Sequence, residues 1–207
     1  MQASIAQAAQ KLLSGARFAL SVPNVGDMPN DNGIEIAFAG RSNTGKSSAI
    51  NVLCGQRGLA RTSRTPGRTQ HLVVFELDGP RRLVDLPGFG YAKVSKRIRR
   101  HWDRALPEYL ETRRSLAGLM VVMDVRHPLK PQEVMLVDWC ANADVPLHVL
   151  LNKCDKLNKG QAQNALLKVS RYLEAAGGAA TAQLFSALKR TGIEQAHEAA
   201  GRWLDVA

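Results

Sequence analysis

Gly40, Arg41, Ser42, Asn43, Thr44, Gly45, Lys46 and Ser47 stand directly behind the apolar run Ile34 to Ala39, and no other stretch constrains the fold so tightly. The stretch matches GxxxxGK[ST], a loop that functions between a strand and a helix. Its glycines let the main chain wrap a phosphate with N–H groups, Lys46 offers a cation to the β and γ oxygens, and the Ser47 hydroxyl is placed to ligate magnesium. A chain with this loop is expected to be an α/β protein that binds a nucleotide at the end of a strand.

Further strand-like segments, Leu72 to Leu77, Arg82 to Asp85, Gly118 to Met123, Leu147 to Leu151 and Ala182 to Phe185, are separated mainly by helix-like stretches. Asp78, Gly79 and Pro80 leave no room for a crossover helix, so the strands around them are expected to form an antiparallel hairpin. The expected fold is a mostly parallel six-stranded sheet with one antiparallel edge strand and helices on both faces. Pro131 suits the first residue of a helix with Val134, Met135 and Val137 on its apolar face. Thr191 and Glu194 have capping-box spacing and are expected to open a last helix whose inner stripe is Ile193, Ala196, Ala200 and Leu204. Residues 1–32 read as an extension packing on one domain of residues 33–207.

Asp85, Leu86, Pro87 and Gly88 form DxxG at the end of the second hairpin strand, where the aspartate is expected to hold magnesium through water and the Gly88 backbone to sense the γ-phosphate. Asn152, Lys153, Cys154 and Asp155 match NKxD. The Asp155 carboxylate can accept two hydrogen bonds from the guanine N1–H and exocyclic amine, a donor pair that adenine lacks, so the motif selects GTP over ATP. Asn152 is expected to tie this turn to the phosphate loop, and the stem of Lys153 to cover the base. Phe185, Ser186 and Ala187 resemble the short SA motif, whose backbone approaches guanine O6. The polar segment before Leu72 reads as a switch loop in which Thr69 is the choice for the magnesium and γ-phosphate threonine, with Thr65 its rival and Thr62 more distant.

Lys and Arg number 28 against 18 Asp and Glu, a net charge of +10, which points to an anionic partner larger than a nucleotide, RNA above all, or else serves solubility alone. Cys54, Cys140 and Cys154 suggest neither a disulfide framework nor a zinc site and fit a reducing cytoplasm. No apolar run is long enough to span a bilayer. The alanine-rich first 26 residues carry Lys11 and Arg17 without an acid, consistent with a transit peptide or with a short helix packed on the domain through Ile5, Ala8, Ala9, Leu12 and Leu13.

The stretches EIAFAGRSNTGKSS, LARTSRTPGRTQ, DLPGFGYAKV and NKCDKL together resemble the EngB-type GTP-binding proteins, relatives of Era-type GTPases, over nearly the whole chain. The resemblance implies a Ras-like P-loop fold, magnesium-dependent GTP hydrolysis, and a role in assembly of the bacterial large ribosomal subunit or its precursor, with cell division and septation affected in consequence. It assigns the phosphates to Gly40 through Ser48, the switch to Gly67, Arg68, Thr69, Gln70 and His71, magnesium to Ser47 and Thr69, and the base to Asn152 through Asp155. Phe89 stands where Ras-like enzymes have a water-orienting glutamine, so hydrolysis is expected to be slow. Asn43 resembles the asparagine of potassium-activated GTPases, and with Lys46 and Thr69 completes the expected catalytic set; the alternative is that it caps the turn. Lys93, Lys96, Arg97, Arg99 and Arg100 follow DxxG and are expected either to touch RNA or to form a solvated helix face. The expected protein is a cytoplasmic monomer binding GTP and GDP. The competing readings are a P-loop ATPase or phosphotransferase, and a basic RNA-binding module with a vestigial nucleotide site.

Overall fold

The strand Ile34–Gly40 (β2) is buried along almost its whole length, as are Leu116–Asp124 (β5) and Leu147–Asn152 (β6). Strands apolar on both faces require a helical layer on each side. The structure, a computed structural model, describes residues 4–61, 71–89 and 106–206. Thr62, Thr65, Gly67, Arg68, Thr69 and Gln70, and the basic cluster Lys93, Lys96, Arg97, Arg99 and Arg100, lie outside the described residues.

The remaining strands are Arg17–Val22 (β1), Leu72–Asp78 (β3), Arg81–Asp85 (β4) and Ala180–Leu184 (β7). The described helices are Ile5–Ser14 (α1), Lys46–Leu53 (α2), residues 106–112 (α3), Pro131–Asn142 (α4), Lys159–Ala176 (α5) and Ile193–Trp203 (α6). The sheet order is β1-β3-β4-β2-β5-β6-β7. The contacts β4–β2, β2–β5, β5–β6 and β6–β7 are parallel, while β3 is antiparallel to both of its neighbours. This is the expected Ras-like α/β architecture with helices on both faces, and it differs from the expectation at one edge. Among the described residues the sheet has seven strands rather than six, because β1 pairs with β3; the antiparallel strand β3 is therefore interior and β1 forms the edge.

Alternation along the central strands sorts the core into two layers. Ala37 and Ala39 of β2, with Leu119, Val121 and Met123 of β5, face Tyr109 of α3, Leu136 and Val137 of α4 and Val169 and Leu173 of α5. Ile36 and Phe38, with Met120 and Val122, face Leu13 of α1, Ile50 and Leu53 of α2 and Ala196 and Ala200 of α6. In α4 the buried residues are Glu133, Leu136, Val137 and Cys140, and Met135 is exposed, so the inner face lies about a third of a turn from the one expected. Pro131 opens that helix as anticipated.

Helix α6 does not use the capping box expected from Thr191 and Glu194. Its N-cap is Gly192, at φ 75°, with no side-chain cap, because Thr191 exchanges two backbone hydrogen bonds with Ser186, each 3.1 Å. Its apolar stripe is as expected, with Ala196, Ala200 and Leu204 fully buried. At Gly201 helices α1 and α6 come so close that a β-carbon would lie 2.6 Å from Ile5 Cγ2 and 3.1 Å from Ala9 Cβ.

Candidate functional site

The phosphate-loop segment leaves β2 and turns into α2. Asn43, at φ 68°, and Gly45, at φ 96°, both adopt left-handed backbone, a conformation tolerated by asparagine and natural to glycine. The buried Thr44 closes the turn on itself, its hydroxyl donating to Arg41 O at 2.8 Å. Helix α2 begins with no side-chain cap at Gly45. Its first N–H groups, at Lys46, Ser47 and Ser48, are thus available to an anion, and the helix dipole adds to the attraction.

Asp85 ends β4 beside β2, its Cα paired with Phe38. Its carboxylate accepts a hydrogen bond from Lys46 Nζ, the two side chains being 7% and 11% exposed. The following turn is stitched to the phosphate loop: Leu86 N–H donates to Phe38 O at 2.9 Å, Phe89 N–H to Gly40 O at 3.3 Å, and Ser42 N–H to Phe89 O at 2.9 Å. Leu86 and Pro87 are buried and Gly88 is exposed at the surface of the turn. The Phe89 side chain belongs to the core and is 3% exposed, so it cannot stand in for a water-orienting glutamine. His71, the described residue of the expected switch segment, lies just before β3 and its Nδ1 hydrogen-bonds Ser21 Oγ of β1 at 3.2 Å.

The NKCD turn leaves β6. Asn152 is 3% exposed; its Nδ2 donates to Thr44 O at 2.8 Å and its Oδ1 accepts from Ala187 N–H at 3.1 Å. One buried amide therefore ties three loops together. Lys153, at φ 68°, extends its ammonium to Asn43 O at 2.6 Å and to Asp124 Oδ2 at 2.9 Å. Ser186 Oγ donates to Asp155 Oδ1 at 2.5 Å and accepts from Lys189 N–H at 3.0 Å, which fixes the carboxylate's direction. Cys154 N–H donates to Phe185 O at 3.1 Å. Burial, then the neighbouring Asp155 charge, push the Cys154 thiol above its ordinary range, so it is a poor nucleophile.

Two residues of this arrangement were absent from the expected set, Asp124 and Arg126. The signal that points to them is an aspartate at the carboxyl end of a central parallel strand, the edge where α/β proteins bind ligands. Arg41 also has a feature that the motif does not foretell: its Nε is buried and, among the described residues, makes no hydrogen bond. Its charge acts on Glu133 of α4, whose carboxyl is raised by burial and drawn partly back by the Lys130 amide and Arg41. Asn43 is exposed, and its side chain makes no hydrogen bond among the described residues, so a capping role for it is not what holds the turn.

A glycine-rich loop between β2 and α2, a DxxG turn bonded to its backbone, and an NKxD turn anchored to both at one end of a Ras-like sheet define a P-loop GTPase. Residues 35–153 match the model of a family described as 50S ribosome-binding GTPase. A "Probable GTP-binding protein EngB" of Colwellia psychrerythraea is 50% identical over 193 residues, covering 93% of this chain and 86% of the relative. The protein of the same description from Methylococcus capsulatus is 51% identical over 191 residues, covering 92% and 91%. The chain belongs to the EngB family of GTP-binding proteins, and it is a GTP hydrolase. Among solved structures, a probable GTP-binding protein engB superposes with a TM-score of 0.66 at 23% identity, covering 81% of this chain and 98% of that one. A mutant NFeoB of S. thermophilus bound to GDP·AlF4⁻ superposes with a TM-score of 0.61 at 24% identity, covering 84% and 64%. At these identities the superpositions speak for the fold. No helix among the described residues is long and apolar enough to cross a membrane.

Proposed function

We propose that this protein is a cytoplasmic, monomeric, GTP-switched factor in assembly of the large ribosomal subunit, on which normal division and septation depend through ribosome supply. The observation that carries the reading is the junction at Asn152, which holds the phosphate loop, the NKCD turn and the Ser186 loop in one constellation, in a chain of net charge +10. The family description, 50S ribosome-binding GTPase, supports the ribosome as partner.

In this reading the loop from Gly40 to Ser48 takes the phosphates, with the N–H groups of Lys46, Ser47 and Ser48 and the Lys46 ammonium turned to them, and Asp155 reads the guanine N1–H and amine, with Phe185 to Ala187 alongside. Ser47, in the first turn of α2, and Asp85, at the end of β4, offer hard oxygen donors of the kind magnesium takes. Magnesium held by these residues would supply neutralisation of the charge that develops on the transferred phosphate. Binding of the phosphates would part Lys46 from Asp85, freeing the lysine for oxygen and the carboxylate for the metal's water. Thr69, in the switch segment with Gly67, Arg68, Gln70 and His71, is proposed as the threonine that joins them. With Phe89 in the core the isolated protein hydrolyses slowly, and the side chain of Asn43 is the proposed holder of an activating potassium ion.

Lys93, Lys96, Arg97, Arg99 and Arg100 are proposed to contact ribosomal RNA. Subunit binding measured across a potassium chloride series, with GDP and with a non-hydrolysable GTP analogue, tests the switch and the partner together. The expected result is tighter binding with the analogue, and a salt slope that flattens by roughly 2 to 3 log units when Lys96, Arg97 and Arg100 are neutralised together. Equal binding in the two nucleotides, or an unchanged slope, would remove the reading of this cluster. In the same preparations hydrolysis should be faster in potassium than in sodium, and Asn43→Ala should abolish the difference; equal wild-type rates would exclude the cation.

A further inference from the structure

Asp124 is the last residue of β5, and its Cα is paired with Asn152 across the ladder to β6. Among the described residues, four hydrogen bonds reach its carboxylate. Arg126 holds it by a fork, Nε to Oδ1 at 2.9 Å and Nη2 to Oδ2 at 2.7 Å, and the Arg126 amide adds a third bond to Oδ1 at 3.1 Å. The fourth comes from Lys153 Nζ at 2.9 Å, the same ammonium that donates to Asn43 O at 2.6 Å. The side chains are partly shielded, Asp124 being 17% and Lys153 29% exposed.

We propose that Asp124 is a positioning residue for nucleoside recognition, one that holds the Lys153 side chain across the base site and is itself held by Arg126. The inference rests on the reading that the NKCD turn takes the guanine. Its physical basis is the freedom of a lysine stem, which has four rotatable bonds and loses much entropy when one geometry is required. Here the stem is fixed at both ends. A left-handed backbone sets its root, and a carboxylate and a carbonyl set its tip. A lysine so prepared loses little further freedom when a planar base lies against its methylenes, which raises affinity without any contact between Asp124 and ligand.

The carboxylate stays charged throughout the accessible pH range: burial pulls its pKa upward, but the bonds from Arg126 and Lys153 outweigh that and hold it far below the ordinary value. None of its described hydrogen bonds goes to the phosphate loop itself. That loop keeps its separate anchor, Asn152 Nδ2 to Thr44 O at 2.8 Å. Losing Asp124 should therefore weaken the nucleoside end of the ligand and spare the phosphate end.

The test measures affinity for a fluorescent GDP, and for inorganic tripolyphosphate as its competitor, in Asp124→Asn, Lys153→Ala, the double variant and Arg126→Ala. Asp124→Asn is expected to lower GDP affinity about tenfold and leave tripolyphosphate binding within about twofold, with Lys153→Ala equally affected and the double variant no worse than either single one. Arg126→Ala should give a smaller loss in the same direction. Equal losses for GDP and tripolyphosphate, or additive losses in the double variant, would overturn the proposal, since both mean that Asp124 acts on the fold and not through Lys153. Asp155→Asn, assayed for a shift from GTP to xanthosine triphosphate, separates the two levels. Without that shift the base-site reading itself fails; with it, additivity between Asp124 and Lys153 defeats only this inference.

Discussion

Gly45 carries two demands at once. Its φ of 96° disfavours any residue with a β-carbon, and a β-carbon there would lie 2.3 Å from Asn152 Nδ2, the atom that anchors Thr44 O. Gly45→Ala must therefore strain the backbone and push Asn152 off its acceptor together. Backbone strain of this kind costs ~1–3 kcal/mol, so nucleotide affinity should fall by about 5- to 150-fold. Calorimetric titration with GDP would measure it, and a variant that binds within about twofold of the parent would show that the loop adapts without releasing Asn152. The residues of the site divide by whether their role is local. Lys46, Ser47, Asp85, Asn152 and Asp155 are legible in the sequence because each belongs to a short motif whose spacing reflects a single turn. Asp124 and Arg126 are not, because their role comes from the pairing of β5 with β6, which brings Asp124 opposite Asn152. The same limit explains Thr191 and Glu194: the local spacing suits a cap, and a tertiary pairing with Ser186 takes the threonine instead.

At the scale of elements, the end of the sheet opposite the candidate site is held by a buried charge cluster. Glu35 of β2 is fully buried and accepts hydrogen bonds from Arg113 at 2.6 and 3.0 Å, Arg82 of β4 at 3.2 Å and the Tyr109 hydroxyl of α3 at 3.2 Å. The cluster locks α3 to the base of β2 and β4. Removing this acid leaves two guanidinium groups facing each other with little water, and breaking a buried pair in this way typically costs about 3–5 kcal/mol. Glu35→Ala should show that loss in chemical denaturation while retaining guanine-nucleotide affinity when folded, because the cluster and the phosphate loop occupy opposite ends of β2. A change under about 1 kcal/mol would mean that water replaces the carboxylate. The central strands of this scaffold are legible as unbroken apolar runs. Strand β1 is not, since Arg17, Phe18 and Ser21 are exposed and no apolar alternation announces it; its partner β3 selects it.

For the molecule as a whole, the crossing of α1 and α6 decides how the N-terminal segment is held. Gly201 lets the two helices touch backbone to side chain, and Gly201→Leu would drive a branched side chain into Ile5 and Ala9. Overpacking of this kind costs ~1–3 kcal/mol, expected as a lowered Tm and faster protease cleavage within residues 1–32, with GDP affinity largely kept. Unchanged protease resistance would show that the β1–β3 pairing alone secures the segment. The same crossing has a consequence in time. The Ala6, Ala9 and Leu13 face of α1 is covered by α6, an element near the other end of the chain. On a translating ribosome, at roughly 5–20 residues per second, that face waits on the order of 10 to 40 s for its cover. During that interval it is an apolar surface open to chaperones or to neighbouring nascent chains, so the arrival of α6 is also the step that removes this hazard.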